Sequence, residues 1–72
     1  MAHLNHREYD DLERAVASGT RIAVWRRGTE YVVLPTELRL LSGREAIEAR
    51  NPTTGDELTL YLDELDRIEV VG

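Results

Sequence analysis

The sequence predicts an α+β domain, mainly β, in which one N-terminal helix caps a small five-stranded antiparallel barrel. The chain has 72 residues, which is the length of one domain, residues 1–72, with no room for a second. Its hydrophobic period is helical near the N-terminus and changes to two after residue 19. Short strands cannot bury a flat sheet, so we expect a bent, partly closed barrel that hides its edges.

The first element is an amphipathic helix, predicted over residues 6–17. Four apolar side chains share one arc of its helical wheel, and these are Tyr9, Leu12, Ala15 and Val16. Asn5 is the candidate N-cap, and Glu8, three residues later, is its capping-box partner. Gly19 is the predicted helix stop because glycine readily adopts the left-handed conformation that ends helices.

The barrel is predicted over residues 20–71, beginning with a strand in which Ile22 and Val24 face one side. A tight turn at 26–29 leads into a second strand that is rich in β-formers. Pro35 cannot donate to a ladder, so we expect an edge, a bend or a bulge there. The chain after Pro35 is expected to stay extended, with a short helical turn as the alternative.

Three further strands follow, separated by turns. A turn at "LSGRE" precedes a strand with Ile47 and Ala49 on one face, and "NPTTGDE" is typical of a hairpin turn. The alternating "LTLYL" and the closing "RIEVV" are the last two strands, with a turn or short helical turn at "DELD" between them. The residues expected to be buried are Leu12, Val16, Ile22, Val24, Ile47, Leu58, Leu60, Ile68 and Val70. This order of elements is that of the Sm-like and SH3-like small barrels.

The net charge of −5 is unevenly distributed along the chain. Residues 1–55 hold eight acids and eight arginines, whereas residues 56–72 hold six acids and one arginine. An acidic domain repels phosphates on average, so the composition disfavours nucleic acid and favours a basic protein surface as partner. The expected state is a monomer or a weak oligomer.

The absence of cysteine excludes a disulfide scaffold, a zinc-thiolate site and a thiol nucleophile, and it fits a reducing cytoplasm. No apolar run approaches the roughly 18 residues that a membrane span needs. The opening "MAHLNHREYDD" has no apolar signal-peptide core. A cytoplasmic protein that does not enter a membrane is therefore expected.

The sequence offers little for catalysis. His3 and His6, with Glu8 or Asp10, could ligate a metal weakly, but a terminal segment frays. Neighbouring acids in polar turns lack the pocket that shifts a pKa for acid–base chemistry. There is no glycine-rich phosphate loop and no nucleophile elbow. We expect a protein that is not an enzyme and that uses no metal or cofactor.

Two surfaces are candidates for binding a partner. On the helix, Asp10, Asp11 and Glu13 lie off the apolar arc. They form either a solvated face favoured by the helix dipole or a protein-docking face. On the first strand, Trp25 could stack on bases while neighbouring arginines bind phosphates, or it could pack on the helix while the arginines solvate the strand end. Those arginines are Arg21, Arg26 and Arg27.

The segments "YDDLERA" at 9–15 and "LDELDRIEVV" at 62–71, with Gly28 after the first strand, resemble the Rho-binding antiterminator (Rof) family. The resemblance implies a small Sm-like barrel that regulates transcription without catalysis. It also implies that acidic residues of the first helix approach the RNA-binding surface of the Rho terminator. The corresponding residues are Glu8, Asp10 and Glu13, with Asp11 adjacent. The chain departs from the family in lacking cysteines near the helix, in its longer "NPTTGD" hairpin and in extra residues in "LDELDRI".

A second family, the WYL domain of bacterial transcription regulators, is similar in its order of motifs. The "RIAVW" strand, the "VLP" segment at 33–35 and the final "LDRI" fit its pattern. The signature Trp-Tyr-Leu would fall on residues 45–47, where only the aliphatic third position survives, so the family's ligand sensing does not carry over. The alternatives are a ligand- or nucleic-acid-binding barrel that uses Trp25 and its arginines, or a stand-alone small barrel with another role.

Overall fold

The computed structural model describes residues 4–71. One α-helix, α1, spans His6–Ser18, and it precedes all the strands. The strands are β1 Ile22–Arg26, β2 Thr29–Leu41, β3 Arg44–Arg50, β4 Glu57–Tyr61 and β5 Arg67–Val70, and the 3₁₀ helix Leu62–Glu64 joins β4 to β5. All paired strands are antiparallel, in the order β4-β3-β2-β1-β5. The prediction of a helix followed by a five-stranded antiparallel, mainly β fold is confirmed.

The two ends of α1 are set by local sequence, as predicted. The Glu8 N–H donates to Asn5 Oδ1 at 2.8 Å, and the Asn5 N–H donates to Glu8 Oε1 at 3.0 Å, which completes the capping box. Gly19 ends the helix in the left-handed conformation, with φ of 69°. Within residues 4–71 no helix has the length and apolar character to cross a membrane.

Two-residue turns join β1 to β2 and β2 to β3. Arg27 and Gly28 have φ of 53° and 78°, and Ser42 and Gly43 have φ of 50° and 77°. Positive φ at both central residues matches the right-handed twist of the flanking strands, which is why such turns make tight hairpins. The turns predicted at 26–29 and at "LSGRE" are therefore confirmed.

Strand β2 is the central strand and changes partner halfway along. Its first half pairs with β1 and its second half with β3, and the register shifts between Pro35 and Glu37. Thr36 in the bulge donates its hydroxyl to the Glu48 carbonyl at 3.0 Å. The irregularity predicted at Pro35 is therefore a bulge, and bulges bend the strand that contains them.

The bend in β2 curls the whole sheet. A straight strand of 13 residues would span roughly 40 Å, but the longest dimension of the molecule is 30 Å. Arg26 and Arg44 lie just beyond opposite ends of β2, yet Glu64 lies 3.8 Å from one and 3.5 Å from the other. Among residues 4–71, β4 and β5 share no ladder, so hydrogen bonds do not close the curled sheet into a barrel.

The core lies between the concave side of the sheet and α1. Leu12, Ile22 and Ile47 are fully buried. The remaining core comprises Ala15, Val24, Val33, Ala49, Leu60, Leu62, Leu65 and Ile68. Most of the predicted core is confirmed, although Val16 and Leu58 are only partly buried.

Two positions differ from the expectation of a simple alternation. Val70 faces the core side but is 43% exposed, so the prediction of a buried Val70 is wrong. It lies at the end of β5, an edge strand, where only β1 flanks it. Ala23 lies between Ile22 and Val24 and by alternation faces the convex side, yet it is 3% exposed. Its methyl group lies between Val32 and Glu69, its larger partners on the two neighbouring strands.

Candidate functional site

The carboxylate of Glu8 is occupied inside the molecule. One oxygen accepts the Asn5 N–H, and the other accepts the Ile68 N–H of β5 at 3.1 Å. Glu8 therefore joins the first turn of α1 to a strand that lies 60 residues later in the chain. These two bonds make Glu8 an anchor for the helix, and they hold its carboxylate against the molecule and not out toward solvent.

The bond from Ile68 also protects an edge of the sheet. Val71 donates its N–H to the Arg21 carbonyl at 3.0 Å, and backbone groups alternate in direction along an antiparallel strand. The Ile68 N–H therefore points away from β1, toward the unpaired edge of β5. An unpaired N–H at a sheet edge can hydrogen-bond a strand of another molecule. Here the Ile68 N–H is already bonded to the Glu8 carboxylate.

The other predicted acids of α1 have different surroundings. Asp10 and Glu13 are exposed. Asp11 is half-buried and accepts a hydrogen bond from Arg14 at 2.7 Å, which is the i,i+3 pairing that supports helices. The negative charge directed at solvent therefore comes mainly from Asp10 and Glu13.

Tyr9 connects the acidic helix to a further acid on β3. Its hydroxyl donates to Glu45 Oε2, a residue that the sequence did not single out. This hydrogen bond, partial burial and the charges of Glu45 and Glu13 raise the pKa of Tyr9 to about 12. Glu13 follows Tyr9 by one helical turn, and Glu45 contacts Tyr9, so the two carboxylates flank the same side chain. We call Asp10, Glu13 and Glu45 the acidic surface.

The alternative surface on β1 is organised differently from the stacking platform predicted for nucleic acid. The guanidinium of Arg67 lies over the Trp25 ring, 4.0 Å from its centre, and also donates to Glu69 at 3.3 Å. A base could stack on this side of the ring only by displacing Arg67. The aromatic face is thus already covered by a cation, and an acid in turn binds that cation.

The structure also separates the arginines of that alternative. Arg21 and Trp25 face the convex side, while Arg26 faces the concave side with its guanidinium 5.3 Å from the Tyr31 ring centre. Arg26 also lies 3.8 Å from Glu64. Arg27 is exposed in the turn at positive φ. The four predicted residues therefore do not share one face.

Sequence reasoning missed a cluster of charges at the 3₁₀ helix. Arg44 donates to both oxygens of Asp63, at 3.0 and 2.7 Å, and to Glu64 at 3.5 Å. Its guanidinium also lies 3.9 Å from the centre of the Tyr61 ring. The hydrogen bond from Arg44 lowers the pKa of Asp63 below its usual value. With Arg26 on the other side of Glu64, this cluster connects the two ends of β2.

The described residues contain no group of three or more His, Asp or Glu side chains arranged to hold a metal ion. His6 is exposed in the first turn of α1. His3, the other histidine of the weak candidate site, lies outside the described residues.

Comparison with known proteins gives no family. No family model matches the chain, and no curated protein matches it.

Proposed function

We propose that this protein is a non-catalytic interaction module of bacterial transcription regulation, which docks its acidic surface on a basic partner. The Rho terminator is the first candidate, because the segments at 9–15 and 62–71 resemble the Rho-binding antiterminators. The fold we propose is an Sm-like or SH3-like small barrel. Its support is the element order, the bulge that bends β2 and the 3₁₀ helix between β4 and β5.

The observation that carries the proposal is the exposure of Asp10 and Glu13 and their lack of partners among the described residues. Both are exposed, and among residues 4–71 neither carboxylate has a hydrogen-bond or ion-pair partner. Their neighbours Glu8 and Tyr9 hold α1 to β5 and β3. The first turns of the helix are thus fixed to the sheet, and the carboxylates of Asp10 and Glu13 project from them. A partner would therefore bind carboxylates whose backbone is already held in place.

The proposal assigns different roles to the four acids that the resemblance implicates. Asp10 and Glu13 make the direct contacts with the basic partner, and Glu45 adds its charge beside them. Glu8 positions the helix, and Asp11, paired with Arg14, lies at the rim. Charges at such an interface chiefly raise the association rate and the specificity, and salt screens them.

The test is a binding titration of the purified protein against Rho at low and high salt. The double variant Asp10→Arg with Glu13→Arg should fold normally and lose binding, and wild-type affinity should fall with salt. Asp56→Arg with Glu57→Arg is the control: it makes the same change of charge at exposed residues beside the β3–β4 turn. It also breaks the 3.8 Å Arg50–Glu57 ion pair, which is exposed and contributes little to folding. It should retain most of the wild-type affinity.

Two results would contradict the proposal. If wild type does not bind Rho at either salt concentration, the partner is wrong. If both double variants lose affinity equally, then the net charge of the molecule, and not the position of Asp10 and Glu13, governs binding.

A further inference from the structure

Leu40 is the most exposed large hydrophobic residue of the described chain, at 70% of its full exposure. It lies on β2 directly opposite Glu45 of β3, one step before the pair that flanks the hairpin turn. Leu38, two residues earlier on the same face, packs against the core. An apolar strip therefore runs along β2 from the core to the open surface, where it ends at Leu40.

Leu40 adjoins the acidic surface. Residues directly opposite in an antiparallel pair project on the same face with their Cβ atoms about 5 Å apart, so Leu40 lies beside Glu45. The Glu45 carboxylate accepts the Tyr9 hydroxyl, and the charge of Glu13 acts on that same hydroxyl. The exposed leucine thus lies beside the Glu45 carboxylate, which the Tyr9 hydroxyl links to α1 one helical turn before Glu13.

We propose that Leu40 is the apolar anchor of the acidic surface, and that the partner is a protein with a hydrophobic pocket bordered by arginine or lysine side chains. The inference rests on the proposed function and specifies the chemistry of its partner. Protein interfaces commonly place a desolvated apolar contact at their centre and charged groups at the rim. The cations of the partner would face Glu13 and Glu45 while its pocket receives Leu40.

The proposal separates two kinds of acidic docking by their response to salt. Purely electrostatic docking weakens with salt and is insensitive to the loss of one aliphatic side chain. Docking with an apolar anchor loses affinity on truncation of the anchor at every salt concentration, because apolar burial is not screened.

The experiment measures the affinity of Rho for Leu40→Ser, Leu40→Met and Val71→Ser at low and high salt. Leu40→Ser should weaken binding by about tenfold at both concentrations, as expected for loss of most of a buried leucine contact. Leu40→Met keeps an apolar side chain of similar volume and should bind like wild type. Val71→Ser is the matched control, since Val71 is 54% exposed, lies just after β5 and is outside the acidic surface.

Each outcome decides the inference. If Leu40→Ser binds like wild type, the anchor is refuted while the proposed function stands. If Leu40→Met loses as much affinity as Leu40→Ser, the role of Leu40 is not hydrophobic and the inference is again wrong. If wild type does not bind Rho at all, the inference falls together with the proposed function. Thermal melting should give the same midpoint for all three variants as for wild type.

Discussion

Removing the carboxylate of Glu8 should destabilise the protein far more than removing any other acid of α1. In Glu8→Ala the Asn5 N–H loses its capping-box acceptor, which costs about 0.5–1 kcal/mol. The Ile68 N–H, part-buried at the edge of β5, loses a charged acceptor, at a further cost of about 1–2 kcal/mol because water replaces it only in part. The expected loss of unfolding free energy is therefore about 2 kcal/mol.

A loss of this size is large for so small a domain. A chain of 72 residues has a total stability of roughly 4–11 kcal/mol. In this size range each kcal/mol shifts the melting midpoint by roughly 4–8 °C. We therefore expect Glu8→Ala to melt about 8–16 °C below wild type, by circular dichroism at neutral pH, with a matching decrease in the urea midpoint.

Two companion variants make the reasoning refutable. Glu13→Ala removes an exposed acid of the same helix and should change stability by no more than about 0.5 kcal/mol. Glu8→Gln retains one carbonyl oxygen, so it can keep one of the two bonds and should melt between Glu8→Ala and wild type. If Glu8→Ala and Glu13→Ala have the same melting midpoint, Glu8 is not the anchor between α1 and β5.

Three other perturbations test the rest of the framework. Leu60→Ala truncates a side chain that is 2% exposed and should lower the free energy of unfolding in urea by roughly 2–5 kcal/mol. A smaller loss than that caused by Leu40→Ala would contradict the placement of Leu60 in the core. The raised pKa of Tyr9, about 12 in the folded state, adds stability that is fully present below its unfolded value near pH 10 and is lost between pH 10 and 12. In Tyr9→Phe the melting midpoint should no longer fall for this reason between pH 10 and 12. If it falls as steeply as in wild type, the Tyr9–Glu45 bond is not the cause. Asp10→Ala should raise stability by up to about 0.7 kcal/mol because aspartate is a poor helix former; a lower melting midpoint would show that Asp10 has a structural partner.

The helix and its ends were predictable because their determinants are local. The capping box joins Asn5 to Glu8 within three residues, and Gly19 follows the last apolar position directly. The strands were predictable from alternation, which gives the face of each residue. Alternation does not say how far the helix covers that face, so Val70 was assigned to the core although it lies at an incompletely covered edge.

The candidate site was predictable only in part. The exposure of Asp10 and Glu13 follows from the helical wheel, and the structure agrees. The second bond of Glu8 could not be predicted, because its partner Ile68 is 60 residues away and depends on which edge of the sheet the helix meets. The same is true of Glu45, which joins the acidic surface only through the packing of Tyr9 across the chain.

The positions of the acids in α1 bear on whether the helix only covers the sheet or also binds a partner. The helix dipole stabilises negative charge only within the first turn, and Glu8 is the only acid there. Asp11 has its own explanation in the pair with Arg14. Asp10 has neither: it lies beyond the first turn, it is exposed, and alanine would suit the helix better. The helix dipole and pairing within α1 therefore do not account for a carboxylate at this position, whereas the proposed contact with a basic partner would. A variant at Asp10 that gains stability while losing affinity would support that contact.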